Sequence, residues 1–577
     1  MYNRISILLS KNQKIGFIVF FISMLLSSAL EIIGIGALSG IVYVLSSFDT
    51  THTLLQKYGF INFIQLSPDL VNSNFFLPAI LLVIFLTKAI VTFIINFFEA
   101  RLYSNINTTN TKRLFNFFLK SSYKFHLNTS PAQIINNCLG EINRANVFLI
   151  SILSFIKDIT FLIFITVACF FIDFYVTTII FFTMFAVTFI FFFSLKKNLK
   201  RRGGLIITVQ KNATNLITQC LNGIKYIKLA NIEDKVTDIL GKFVNLRNEQ
   251  NAIKTFLSKT PKVFLEFFSI IVMIFVLFSL LNRGQEFSRI VPLLSFYVLV
   301  AIRLMPVFNN LNISFTNYKY CEKSFLNITN YLSDAIKLKK KILKTNSNTK
   351  NKKNLIELEN ISFEHNSGKQ ILKNISLSIP FNKKIGIYGP SGSGKTTIAD
   401  LLMGFLPPTL GIKRFNKNFD KSKIGYITQE TFLLNDSIKN NIIFSYQQKK
   451  YNNKKLQFAI KKSFLDDYIN NLTENINSKI GDQGAKMSGG QRQRLGLARL
   501  FYGDYKFIIL DEATSAMDKK LEKKIFDNIY NLKNVTVIVI SHNFDILKKC
   551  DSIHLINKGK LEDSGTPNYL LKKYKLN

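Results

Sequence analysis

The chain contains no tryptophan and only 5 cysteines in 577 residues. Cys138, Cys169, Cys220, Cys321 and Cys550 stand far apart, with no CxxC and no Cys/His spacing. That excludes a disulfide framework or a zinc-type cluster as the organising device. Acidic residues are also scarce, 36 against 74 Lys and Arg, for a formal net charge of +38. Such an excess would ordinarily suit nucleic acid or an anionic membrane. Here Lys, Asn, Ile and Phe are abundant together, the bias of an AT-rich coding sequence that writes Lys at tolerant surface positions. Nucleic acid is therefore not expected as a partner, whereas attraction to the anionic cytoplasmic leaflet is. A cleavable signal peptide is not expected either. Arg4, Lys11 and Lys14 precede an apolar stretch from Ile15 to about Leu45, too long for a signal h-region and without a cleavage motif, so it reads as a retained transmembrane helix.

Apolar residues make up 48% of the chain, 55 of them Phe, and the long apolar runs lie before about residue 315. A chain of this length exceeds one soluble core, so a membrane half and a soluble half are expected. Six spans match the roughly 20 residues that a bilayer requires: Ile15 to Leu45, Phe75 to Phe98, Val147 to Ile172, Tyr175 to Leu195, Val263 to Leu281 and Ile290 to Phe315. Only Asp173 and Phe174 separate the third and fourth. The segments Arg101 to Arg144 and Lys196 to Lys262 are rich in Lys and Arg, whereas Asp49 to Asn74 has only Lys57. The positive-inside rule then puts both chain ends and both long basic segments on the cytoplasmic side. Those segments are too long for connectors and are expected to project as helices. The expected organisation is residues 1–333 as a transmembrane domain with long cytoplasmic loops, residues 334–354 as a Lys/Asn-rich linker, and residues 355–577 as an α/β nucleotide-binding domain of the P-loop type. No internal repeat is apparent, and no peptidase domain is expected ahead of the first span.

The soluble half carries the chemistry. GPSGSGKT at Gly389 to Thr396 follows a short apolar strand, Lys384 to Tyr388, and opens a helix. In such a loop the backbone N–H groups of Gly389, Pro390, Ser391, Gly392, Ser393, Gly394, Lys395, Thr396 and Thr397, less the imide of Pro390, curl around phosphate oxygens. Lys395 neutralises the β and γ charges, and Thr396 reaches Mg²⁺. The apolar run Phe507 to Leu510 delivers Asp511 and Glu512 at its carboxyl end, where ligands bind in α/β sheets. Asp511 is a candidate metal ligand and Glu512 a candidate base for the attacking water. Gln429, after Ile427, is placed to sense the γ-phosphate or metal, and His542, after the run Val535 to Ile540, to touch the γ-phosphate.

With MSGGQ at Met487 to Gln491 added, the chain from Leu355 onward resembles the ABC transporter ATPases. The resemblance implies that Ser488, Gly489, Gly490 and Gln491 of one subunit close over ATP held by the phosphate loop of another, so a homodimer is expected, domain-swapped in the exporter manner. His365 falls where the family has its adenine stacker, leaving imidazole or a neighbour such as Phe363 for that role. Met487 and Met517 replace leucines conservatively. The exporter branch further implies short coupling helices near Tyr123 to Ile134 and Tyr226 to Asp238.

Fusion of six spans to one C-terminal ATPase favours export or flipping in the bacterial cytoplasmic membrane, with the N-terminus and ATPase in the cytoplasm. The membrane half is similar to lipid-linked oligosaccharide flippases in EIIGIG (Glu31 to Gly36), the segment Thr51 to Phe60, LNGIKYIKLANIED (Leu221 to Asp234) and IRLMPVFNNL (Ile302 to Leu311). The cargo that this implies is a polyprenyl-pyrophosphate glycan. Exporters of a peptide, a lipid A-like lipid or a drug share the plan. A channel or receptor using ATP binding alone is disfavoured by intact Glu512 and His542. Arg303, Lys88 and Lys157 lie within spans, where a charge requires a cavity or a partner. They are the candidate cargo contacts, Arg303 foremost, with Glu31, Asp158 and Glu266 as possible counter-charges.

Overall fold

The computed structural model describes residues 2–46, 76–282, 287–341, 353–364, 368–417, 419–444 and 451–575, without the side chains of some helical residues, 191–197 among them. The chain divides into two units, residues 1–121 with 125–341, and residues 122–124 with 342–577.

The first unit is helical throughout. A short α1 (Tyr2–Leu8) is followed by α2 (Lys11–Ser46) and by α3 (Phe76–Lys120), which at 45 residues is about 68 Å long. Two short helices, α4 (Tyr123–Asn128) and α5 (Pro131–Asn136), and a π turn then lead into α6 (Ile142–Phe170). Asp173 caps α7 (Phe174–Asn222) by accepting from the Val176 amide at 2.9 Å. The short α8 (Ile224–Ala230) precedes α9 (Glu233–Asn282) and α10 (Phe287–Lys341). Among the described residues five helices are long and apolar enough to cross a membrane, and the shorter apolar stretch Phe174–Ile190 stands at the fourth expected span. The basic segments are helical apart from short breaks: α3 and α7 run on from the apolar spans into polar sequence, and the short helices α4, α5 and α8 stand at the turns before α6 and α9. Short helices occur at both expected coupling positions. The segments Asp49 to Asn74 and Thr51 to Phe60, on which the external-loop readings rest, lie wholly outside the described residues. One boundary differs, because α10 continues to Lys341. Leu and Lys are good helix formers, so the first part of the expected linker, from Asp334, is helix.

The second unit has two sheets. One is antiparallel, in the order β2–β1–β4, from β1 (Asn354–Glu364), β2 (Gln370–Pro380) and β4 (Leu410–Phe415). The other runs β5–β6–β7–β3–β8–β9, from β3 (Lys384–Tyr388), β5 (Ile424–Ile427), β6 (Phe507–Asp511), β7 (Thr536–Ser541), β8 (Ser552–Asn557) and β9 (Lys560–Gly565). All its neighbours pair in parallel except β8 and β9. Period-2 alternation divides the buried residues of β6 and β7 between two cores: Phe507, Ile509, Ile538 and Ile540 face one, and Ile508, Leu510, Val537 and Val539 the other. Coverage on both faces explains why these strands read as unbroken apolar runs. Helices α11 (Lys395–Met403) and α12 (Gly489–Tyr502) carry the phosphate-loop and SGGQ sequences.

Candidate nucleotide site

The site lies at the carboxyl ends of β3, β5, β6 and β7, where parallel strands leave backbone and side chains pointing out of the sheet. Gly389 passes so close to β8 that a Cβ there would sit 2.1 Å from the Ile556 carbonyl oxygen. Gly394, at φ +101, would drive a Cβ to 2.6 Å from Leu372. The loop therefore requires glycine at these two positions for different reasons, close approach and backbone conformation. Between them the Ser393 hydroxyl is buried without a hydrogen-bond partner, an acceptor and donor suited to phosphate. Lys395 is buried and donates from Nζ to the carbonyls of Gly389 and Pro390, both at 2.9 Å. Burial lowers its pKa, opposed by the charges of Glu512 and Asp511.

Thr396 Oγ1 donates to Asp511 Oδ2 at 2.9 Å. The two are hard oxygen donors side by side, a pair that fits Mg²⁺. Burial raises the pKa of Asp511, and the Thr396 hydroxyl opposes the rise. Glu512 stands at φ +50 and accepts from or shares a proton with His542, Oε1 to Nδ1 at 3.1 Å. Two of the three expected catalytic side chains are thus adjacent. Gln429 is exposed, and its carbonyl accepts from Gln493 Nε2 at 3.2 Å.

Ser488 caps α12 in a reciprocal box: its hydroxyl accepts from the Gln491 amide at 3.3 Å while its own amide donates to Gln491 Oε1 at 2.8 Å. Among the described hydrogen bonds none joins Ser488–Gln491 to the phosphate loop. Met487 and Met517 both pack into the core, Met487 buried and Met517 partly so. His365 lies outside the described residues. Phe363, the alternative stacker, is 6% exposed and packs within the core of the second unit.

Three residues were missed from sequence. Gln493 bridges the Gln429 carbonyl, Ser515 Oγ at 3.2 Å and the Ala516 amide at 3.0 Å, tying the SGGQ helix to the segment after Glu512. Tyr426 faces Asp511 from β5, and Asp400 on α11 lies near the same carboxylate. Only its position two residues beyond Gln491 could have signalled Gln493.

In the helical unit two of the three expected cations, Lys88 and Arg303, find a partner. Lys88 Nζ lies 2.8 Å from Glu31 Oε1, and Arg303 Nε lies 3.9 Å from Glu31 Oε2. Glu266 instead meets Lys262 on its own helix at 3.5 Å. Lys157 and Asp158 line a separate cleft.

Residues 372–515 match the ABC transporter family model. The second unit is an ABC transporter ATP-binding domain. The whole chain superposes on a bacterial Atm1-family ABC exporter with ATP bound at a TM-score of 0.76 and 16% identity, over 98% of this chain and 96% of that one. The fold of the chain is thus that of an exporter-type ABC half-transporter, and the family match itself lies within the second unit. An ATP-dependent lipid A-core flippase of Desulfotalea psychrophila is 35% identical over 229 residues, 38% of this chain and 40% of that protein. The lactococcin-G-processing and transport ATP-binding protein of Lactococcus lactis subsp. lactis is 30% identical over 373 residues, 62% of this chain and 52% of that protein. The chain thus spans about two fifths to one half of the length of these curated relatives.

Proposed function

We propose that the chain is an ATP-hydrolysing flippase that moves a polyprenyl-pyrophosphate glycan from the inner to the outer leaflet of the cytoplasmic membrane. The observation that carries the cargo reading is the convergence of Lys88 from α3 and Arg303 from α10 on the single carboxylate of Glu31 from α2. Two cations on one anion leave a net positive charge in membrane-spanning helices, where an unmatched charge costs roughly 2.5–3.5 kcal/mol on insertion scales. A pyrophosphate supplies the missing negative charge, and guanidinium suits it in bidentate fashion. Glu512 takes the proton of the attacking water with His542 orienting it, Lys395 and the loop amides hold the phosphates, and Thr396 and Asp511 would hold Mg²⁺. The bound metal would supply neutralisation of phosphate charge. A second copy supplies Ser488–Gln491, since within one chain the capped N-terminus of α12 makes no described hydrogen bond to the phosphate loop.

The test is Arg303→Ala in proteoliposomes. Flipping of a fluorescent polyprenyl-pyrophosphate glycan should be lost while basal ATP hydrolysis persists. Unchanged flipping would remove the cargo assignment. A peptide exporter is the second reading, favoured by the lactococcin-G relative, because its matched stretch is longer than the ATP-binding unit and so reaches into the helical half.

A further inference from the structure

We propose that the cleft between α3, α6 and α10 is a binding pocket for the hydroxyl groups of a sugar, reading the glycan end of the headgroup; the identity of the attached lipid rests on the function proposed above. The cleft encloses about 580 Å³, within the range of pockets that take small ligands. Glu99 lines it from α3, Lys157 and Asp158 from α6, and Asn310 and Asn317 from α10. Polar groups at such density on apolar helices are costly unless they serve a cavity.

Asp158 is 3% exposed, and its Oδ2 has no hydrogen-bond partner. A buried acceptor left open is costly, more so when charged, and a ligand hydroxyl lying in the cleft would answer it. The charge balance indicates the ligand class. Glu99 and Asp158 would repel a phosphate, so Lys157 is not the anion contact that its position in a span suggests. An ammonium would meet Lys157 itself. A sugar hydroxyl both donates and accepts, and so satisfies carboxylates, ammonium and amides together.

The position agrees. Asn310 follows Arg303 by seven residues of α10, roughly 10 Å of helix, and Glu99 follows Lys88 by eleven residues of α3, roughly 16 Å. On both helices the cleft lies beyond the ion triad toward the end that the positive-inside rule makes cytoplasmic. Triad and cleft are spaced as the anionic and sugar ends of one headgroup.

Because the chain has no tryptophan, Tyr103→Trp, whose site lines the same cleft, gives a single reporter in the full-length protein in nanodiscs. N,N′-diacetylchitobiose should shift its emission saturably, and adding Asp158→Asn or Glu99→Gln should weaken that response at least tenfold. No shift, an unchanged affinity in both added variants, or a shift with octylamine in place of the sugar would each overturn the proposal. ATPase stimulation by glycosylated and by bare polyprenyl pyrophosphate separates this result from the cargo reading. A sugar-dependent shift with neither lipid active supports the pocket and sinks the lipid assignment. Equal stimulation by both lipids without a sugar shift overturns the pocket alone.

Discussion

Replacing Glu512 should separate catalysis from stability. At φ +50 a residue with a Cβ sits in left-handed backbone that costs roughly 1–2 kcal/mol. Glu512→Gly releases that strain, against roughly 0.5–1 kcal/mol for the greater freedom of glycine in the unfolded chain. It also loses the contact with His542, which at 64% exposure of the imidazole is worth no more than about 1 kcal/mol. The stability change should therefore lie between about 1 kcal/mol of loss and about 1.5 kcal/mol of gain. Turnover behaves differently. A general base contributes about 10²–10⁴-fold, or roughly 2.7–5.4 kcal/mol of barrier at 1.36 kcal/mol per tenfold, and both Glu512→Gly and Glu512→Gln forfeit it. Phosphate release and nucleotide affinity would be measured on the full-length chain in nanodiscs, with hydrogen exchange at β6 reporting local stability. Retention of more than about a third of wild-type hydrolysis by Glu512→Gln would refute the role as base. A Glu512→Gly protein destabilised by more than about 2 kcal/mol would refute the strain argument.

Gln493→Ala removes three hydrogen bonds and leaves the Ala516 amide unanswered, so thermal stability should fall by roughly 1–3 kcal/mol and hydrolysis should fall more than nucleotide affinity; parallel loss of the two would show a merely structural bond set. Asp400 has its carboxyl pushed up to about 6, chiefly by burial and then by Asp511. The folded state thus binds more protons than the unfolded chain between pH 4 and pH 6, roughly; stability declines as pH rises through that window and flattens above it, and thermal midpoints of Asp400→Asn should lack this slope. Glu31→Gln strips the shared counter-charge from Lys88 and Arg303. Because these side chains are partly exposed, the cost should stay below the roughly 3–5 kcal/mol of a broken buried pair, and Lys88→Met added to it should recover the yield of folded protein; no recovery would mean that charge balance is not what Glu31 provides.

The nucleotide half was readable because its demands are local. Lys384–Tyr388 had to be short, apolar and followed by glycines for the chain to turn against Ile556, and each of those conditions is written in consecutive residues. The strand ending in Asp511 and the capped turn at Ser488 are equally local. Gln493 was not readable, since its three partners come from segments up to 64 residues away and a glutamine on a helix surface carries no mark of them. Phe363 misled for a related reason. Its neighbourhood in sequence suggested a stacker, but its burial goes with an irregular stretch of β1, with register shifts against β2 on both sides of Phe363, which no local pattern announces.

In the helical half, sequence located the charges without their pairing, and pairing decides what each can do. Along a rod of 45 or 55 residues the facing neighbour is set by the packing of other helices, so Glu31, Glu266 and Asp158 were equivalent partners on paper. The structure makes them unlike. Glu31 draws Lys88 and Arg303 together from two helices, Glu266 is used within one helix, and Asp158 keeps an unanswered oxygen at a cleft. One helical unit consequently holds a site with spare positive charge and a second where acids outnumber the base. A cargo with one strongly anionic end and one neutral, hydroxyl-rich end suits that pair of environments, whereas a uniformly cationic or uniformly apolar one would leave at least one of them without purpose.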